Sequence, residues 1–142
     1  MSDDKQFRKV EWSGDQYNPA DDDLDELPAP PRRSLAPEDR ALLELAARAI
    51  GCVRFEEVEG EEYANLNFAD GSVMHAWNPL AFSGDALELA VNLNMHVCRF
   101  DTMTTAQPLL STWACSERDD GDPLASTRRA IVRAAAEIGK QA

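Results

Sequence analysis

Asp70-Gly71 lies between two runs in which apolar and polar residues alternate, and this fixes an antiparallel hairpin at the centre of the chain. Asp-Gly readily adopts the left-handed backbone that a tight hairpin turn requires. On one side Tyr63 to Ala69 sets Ala64, Leu66 and Phe68 against Tyr63, Asn65 and Asn67. On the other, Ser72 to Trp77 returns as a strand. Upstream, Cys52 to Val58 places Val53 and Phe55 opposite Arg54 and Glu56, with Glu59-Gly60-Glu61-Glu62 as the intervening turn. Three strands therefore form a meander, whose apolar face needs helices to cover it.

The flanks supply them. Pro37 suits a first helical turn, Glu38 and Asp39 complement its dipole, and Gly51 is placed for a left-handed cap. Leu42, Leu45, Ala46, Ala49 and Ile50 fall on one face of this helix. Asn78-Pro79 ends the third strand, because proline restricts the residue before it. Ser83 is the candidate cap of a second helix from Gly84 to Asn94, with Asp85 in its first turn. Leu87, Ala90, Val91 and Asn94, flanked by Ala86, Leu89 and Leu93, give it a broad apolar face. His96 to Asp101 and Leu109 to Cys115 read as two further strands, joined by a loop through Thr104 and Gln107. Ser116 to Pro123 reads as an acidic loop. A last helix runs from Leu124 to Gly139, with Thr127, Ile131, Ala134, Ala135 and Ile138 as its core face. The order αβββαββα predicts an α+β fold: one antiparallel sheet of about five strands with helices packed on it.

Trp77-Asn78-Pro79, Gly84-Asp85-Ala86 and Thr127-Arg128-Arg129-Ala130 resemble the phage ABA sandwich family, small α/β proteins of phages and prophages that mostly lack an assigned function. The similarity covers roughly residues 37 to 140. It implies an α/β/α sandwich with helices on both sheet faces and a phage or prophage source. It implies no reaction, because no catalytic motif carries over.

Residues 1–35 have no counterpart in that family. They hold Asp21-Asp22-Asp23-Leu24-Asp25-Glu26 and Pro28-Ala29-Pro30-Pro31, a composition that favours a flexible acidic extension ahead of a domain at 36–142. Phe7, Val10, Trp12 and Tyr17 are unusual in a pure solubility tail, and Trp12 and Tyr17 are candidate anchors for a partner. The net charge of −12 disfavours direct binding of nucleic acid or of an anionic membrane and favours a partner with a basic surface. The polar start Met1-Ser2-Asp3-Asp4-Lys5 and the lack of a long apolar run point to the cytoplasm, that of the host cell for a phage-encoded chain.

Reactive residues are sparse. Cys52, Cys98 and Cys115 are an odd, scattered set that predicts no disulfide framework. His96 and Cys98, two apart on a strand, point the same way, but zinc needs three or four converging ligands and His75 lies on another strand. Cys98 with His75 or His96 matches no nucleophile signature. No Gly-rich phosphate loop or calcium loop is present, so neither cofactor nor metal is expected. Arg128, Arg129 and Arg133 line the polar side of the last helix, spaced to pair with Glu137 and nearby acids. Trp77 and Trp113 read as core aromatics on strands.

The expectation is therefore a non-enzymatic accessory protein that binds through acidic surfaces: Asp21, Asp22, Asp23, Asp25 and Glu26, then Glu57, Glu59, Glu61 and Glu62, then Asp119, Asp120 and Asp122. An inhibitor of a host nucleic-acid-binding complex, such as an anti-CRISPR protein mimicking DNA, would fit. The alternatives are a virion assembly or structural protein and a small metal-dependent hydrolase using His75, His96 and Cys98. Homodimerisation through a helix face or a sheet edge stays open.

Overall fold

A computed structural model describes residues 34–142, all within one compact unit. Helix α1 spans Pro37–Ala49 and is followed by strands β1 (Cys52–Glu57), β2 (Ala64–Phe68) and β3 (Val73–Trp77). Helix α2 spans Ser83–Asn92. Strands β4 (Met95–Arg99), β5 (Met103–Pro108) and β6 (Cys115–Arg118) come next, and α3 (Pro123–Lys140) closes the series.

The mixed α and β class stands, but the single five-stranded sheet does not. The described residues form two three-stranded antiparallel sheets, β1-β2-β3 and β4-β5-β6, each a meander with its middle strand in sequence also in the middle in space. The segment expected to be a loop, Met103–Pro108, is the central strand of the second sheet. It pairs with β4 from Met95↔Pro108 to Arg99↔Thr104 and with β6 from Met103↔Arg118 to Ala106↔Cys115. The strand expected at Leu109 to Cys115 lies further on. Leu109 and Leu110 sit in a turn, Leu110 at φ +67° and 95% exposed, and pairing begins only at Cys115. Accordingly Trp113 packs partly buried beside the core from a loop, not from a strand.

The first sheet follows its alternation except at two bulges. Cys52 pairs with Phe68 but Arg54 pairs with Asn67, so Val53 is an extra residue. It is pushed outward and is 66% exposed, whereas Phe55 keeps its place against the core. The second bulge lies in β3, where Trp77 faces Ala64 while Met74 faces Leu66. Ala76 there takes φ +54°, and its N–H donates 3.0 Å to Asn65 Oδ1. A side chain thus satisfies the donor that the ladder strands. The bulge turns Trp77 inward, to 2% exposed. At the Asp70-Gly71 turn Gly71 adopts φ +91°, and Asp70 Oδ1 accepts from both the N–H and the hydroxyl of Ser72.

The helices define the core. In α1 the buried residues are Leu43, Ala46 and Ala47, a face rotated from the expected one, because Leu42 and Leu45 are only half-buried. Gly51 follows the helix at φ +96° as the left-handed cap. In α3 the buried set is alanine-rich: Ser126, Ala130, Ile131, Val132, Ala134, Ala135, Ala136 and Gly139. Helix α3 packs on α1 and α2 and on the second sheet. Asp39 meets Arg129 near the start of α1 and α3, and Leu45 meets Gly139 further along, so the two run in the same sense. No helix among the described residues is long and apolar enough to cross a membrane.

Candidate functional site

The acidic residues divide by what already holds them. Trp12, Tyr17, Asp21, Asp22, Asp23, Asp25 and Glu26 lie outside the described residues. Glu57 Oε1 accepts from Arg40 Nε at 2.8 Å, tying β1 to α1. Glu59, Glu61 and Glu62 sit exposed on the β1–β2 turn. Asp119 is a brace. Its two oxygens accept from Arg99 at 2.8 and 2.9 Å, and the Ser126 hydroxyl donates to the first of them. The Arg99 guanidinium foremost, then the Ser126 hydroxyl, holds the Asp119 carboxyl down to about 2. Asp122 caps α3: its Oδ1 accepts from the backbone N–H of Leu124 and Ala125, both at 3.1 Å. Of that loop only Asp120 presents its carboxylate outward without such a task. A cleft of about 210 Å³ opens here, lined by Glu117, Arg118, Asp120, Asp122, Ser126 and Arg129. Arg99 extends the brace by donating to Thr104 Oγ1, which also meets Thr127 Oγ1 at 2.8 Å. A hydroxyl pair, buried on the Thr104 side and half-buried on the Thr127 side, therefore joins β5 to α3.

The cations of α3 are spent inside the protein. Sequence spacing suggested Arg129–Arg133–Glu137 pairing along the helix, but each arginine reaches another element instead. Arg129 pairs with Asp39 at 3.1 Å. Arg133 pairs with Glu117 and donates to the Ser116 carbonyl. Glu137 takes Lys140. Arg128 Nε donates 2.8 Å to the Leu80 carbonyl and its Nη1 donates 3.1 Å to Ser83 Oγ. Tertiary partners win because a guanidinium stem is long enough to bridge elements and its fork suits carbonyls and carboxylates alike.

Arg128 leads to the junction between β3 and α2. Asn78 is 4% exposed and uses its whole amide. Its Nδ2 donates to the Glu62 carbonyl, and its Oδ1 accepts from Leu80 N–H at 2.9 Å. The Asn78 N–H donates 2.9 Å to Asp85 Oδ2. Ser83 was expected to cap α2, but it is the first helical residue and makes no cap bond. Phe82 occupies the cap position, also without a side-chain cap bond. The Asn78 to Asp85 segment and Arg128, far apart in sequence, thus meet as one latch.

Beside the latch lies an apolar groove between α2 and α3, about 200 Å³ in volume, with Ala86, Ala90 and Ile131 in its floor and Leu87 and Leu124 at its rim. The broad apolar face expected of α2 is only half covered. Ala86, Leu89 and Ala90 are buried, whereas Leu87 and Val91 are each 65% exposed. Leu124 across the groove is 64% exposed. The signal was present in the sequence: apolar residues occupy more of the α2 circumference than one packed face can take.

His96 and Cys98 do come together on β4, with Nε2 and Sγ 3.7 Å apart. His75 stands on β3 in the other sheet. Among the described residues no group of three or more His, Cys, Asp or Glu is placed to hold a metal ion. All three thiols are unpaired. Cys115 is buried, and that burial raises its pKa, so its thiolate is disfavoured. Searches of family models, curated proteins and solved structures give no match to this chain.

Proposed function

We infer that this chain is a non-enzymatic binding protein of phage or prophage origin that engages a basic surface on a host protein. The carrying observation is the distribution of charge. The net charge is −12, and Arg99, Arg128, Arg129 and Arg133 are all committed to partners within the fold. Exposed Glu61, Asp101 and Asp120 face solvent. Exposed Arg118 offsets part of this charge beside Asp120, and an approaching partner meets the acidic excess that remains. The register places Asp101 beside Asp120: Thr102 O accepts from Asp119 N–H at 2.9 Å, which brings the β4–β5 turn against the end of β6. A protein that normally binds phosphates would find carboxylates in their place, so inhibition of a nucleic-acid-binding complex, in the manner of an anti-CRISPR protein, is the function that follows.

The test is retention from bacterial lysate on the immobilised full-length protein, washed at low and at high salt. The expected result is a nucleic-acid-binding protein that elutes as salt rises and that releases its nucleic acid on capture. Unchanged retention after Glu61→Gln, Asp101→Asn and Asp120→Asn together with neutralisation of Asp21, Asp22, Asp23, Asp25 and Glu26 would end this reading.

A further inference from the structure

We propose that Cys98 is a thiol-exchange site, with His96 as the base that takes its proton, and that the group it receives is half of a low-molecular-weight disulfide. The inference is independent of the acidic-surface reading.

The three cysteines of the chain differ in what stands beside the sulfur. Cys52 is half-buried and donates its S–H to the Arg54 carbonyl at 3.2 Å, an oxygen that accepts a hydrogen bond but does not carry the proton away. Cys115 is 8% exposed, and its burial disfavours the thiolate. Cys98 is half-buried and has a titratable partner, since His96 Nε2 lies 3.7 Å from its Sγ. With the ring proton on Nδ1, that nitrogen is a free acceptor. An imidazole takes up a proton near neutral pH, which neither a carbonyl nor an apolar pocket can do.

The strand sets the pair on an open face. Val97 packs against the core, so His96 and Cys98 on either side of it face the opposite way. Across the ladder Gln107 stands opposite His96 and Thr105 opposite Cys98. Ser116 lies beyond Thr105, its hydroxyl 3.3 Å from Thr105 Oγ1. Arg118, paired with Met103, is the one charged side chain that these three strands bring to this face. No carboxylate of the strands there competes for Nε2 or repels a thiolate as it forms. Strand β4 is also an outer strand of its sheet, so no further strand of that sheet flanks the pair.

The step balances with the disulfide as its sole co-reactant. His96 Nε2 accepts the Cys98 proton, and the electron pair left on sulfur attacks one sulfur of R–S–S–R. A Cys98–S–S–R bond forms as the original S–S bond breaks. The released thiolate takes the proton back from the imidazolium, giving RSH and neutral His96. Cys98 is oxidised, the departing half is reduced, and the chain carries one adduct.

The experiment treats the reduced full-length protein at neutral pH with dithiodipyridine, a neutral disulfide whose released thiopyridone absorbs light. Its approach is not slowed by the negative net charge of the chain. Mass spectrometry of peptides from quenched samples assigns each adduct to its cysteine. Cys98 should react at least about tenfold faster than Cys52 or Cys115, and His96→Gln should slow Cys98 by about tenfold or more while leaving the other two rates unchanged. His96 is exposed, so the variant keeps its fold, which unchanged circular dichroism verifies. Cys98→Ser should abolish the fast phase. Labelling of Cys52 as fast as that of Cys98 overturns the proposal, and this ranking is read on the unaltered protein. A Cys98 rate indifferent to His96→Gln, or a fast phase that survives Cys98→Ser, overturns it as well.

Discussion

Helix α3 meets its two neighbouring helices in opposite ways. Against α1 it presents alanines and Gly139, and the backbones approach so closely that a Cβ on Gly139 would stand 1.9 Å from the Leu45 carbonyl oxygen. Against α2 the contact is held at one end by Arg128, while Leu87 and Leu124 remain in water along an open groove. Small residues on the first seam let two helices close on each other completely. Large residues on the second, set too far apart to interdigitate, leave unfilled apolar surface. A closed seam yields stability. An open one costs solvent-exposed apolar area, the usual mark of a surface kept for binding.

The sharpest way to break this contrast is Gly139→Ala. The new methyl has no space, so α3 must shift from α1 or fray, and a loss of about 3 kcal/mol is expected in denaturant unfolding. A loss below about 0.5 kcal/mol would show that the seam is loose. Asn78→Ala attacks the latch at the head of the other seam. It removes the partly buried bonds to the Glu62 carbonyl and the Leu80 N–H, at about 2 kcal/mol. Removing the α3 cap by Asp122→Ala should cost about 1 kcal/mol by the same measurement. The open seam should behave in reverse: Leu87 and Leu124 are mostly exposed, so Leu87→Gln/Leu124→Gln is expected to change stability by no more than about 0.5 kcal/mol in the same measurement. The smallest effect is acid-specific. Asp119 has a depressed pKa in the fold. Its contribution is therefore present above the ordinary carboxylate pKa of about 3.9 and is lost as pH falls toward the folded value. Asp119→Asn should flatten the acid limb of the stability curve between about pH 4 and pH 2 and leave its shape at neutral pH unaltered.

How much of this could be read from residues follows the same division. The positions of the helices were legible from apolar periodicity and from Pro37 and Gly51 at the ends of α1, and the first sheet because large apolar side chains mark its buried positions. Leu66, Phe55 and Trp77 stand at the right spacings, and Asp70-Gly71 marks the turn between β2 and β3. The second sheet was not. The inward residues of β5 are Thr104, Ala106 and Pro108, too small or too polar to register as an apolar face. The exposed Leu109 and Leu110 next to them imitate one. Thr104 is buried because its hydroxyl finds Thr127 and Arg99 across elements, a fact that no local pattern carries. In the acidic loop, Asp122 before Pro123 did carry a helix-start signal, whereas the brace between Asp119 and Arg99 joins residues 20 apart and shows only in the fold. The groove was half legible: the excess of apolar residues on α2 was plain, but their exposure depended on where α3 would lie.

The position of α3 also sets the order in which the molecule can be made. Everything α3 packs against, from α1 to β6, precedes it in the chain. During synthesis at about 5–20 residues per second, α1, α2 and the second sheet are made before the helix that covers them. No core encloses Leu43 until the alanines of α3 arrive. The nascent chain thus offers the inner faces of these elements to chaperones and proteases until α3 itself has left the ribosome and packed down.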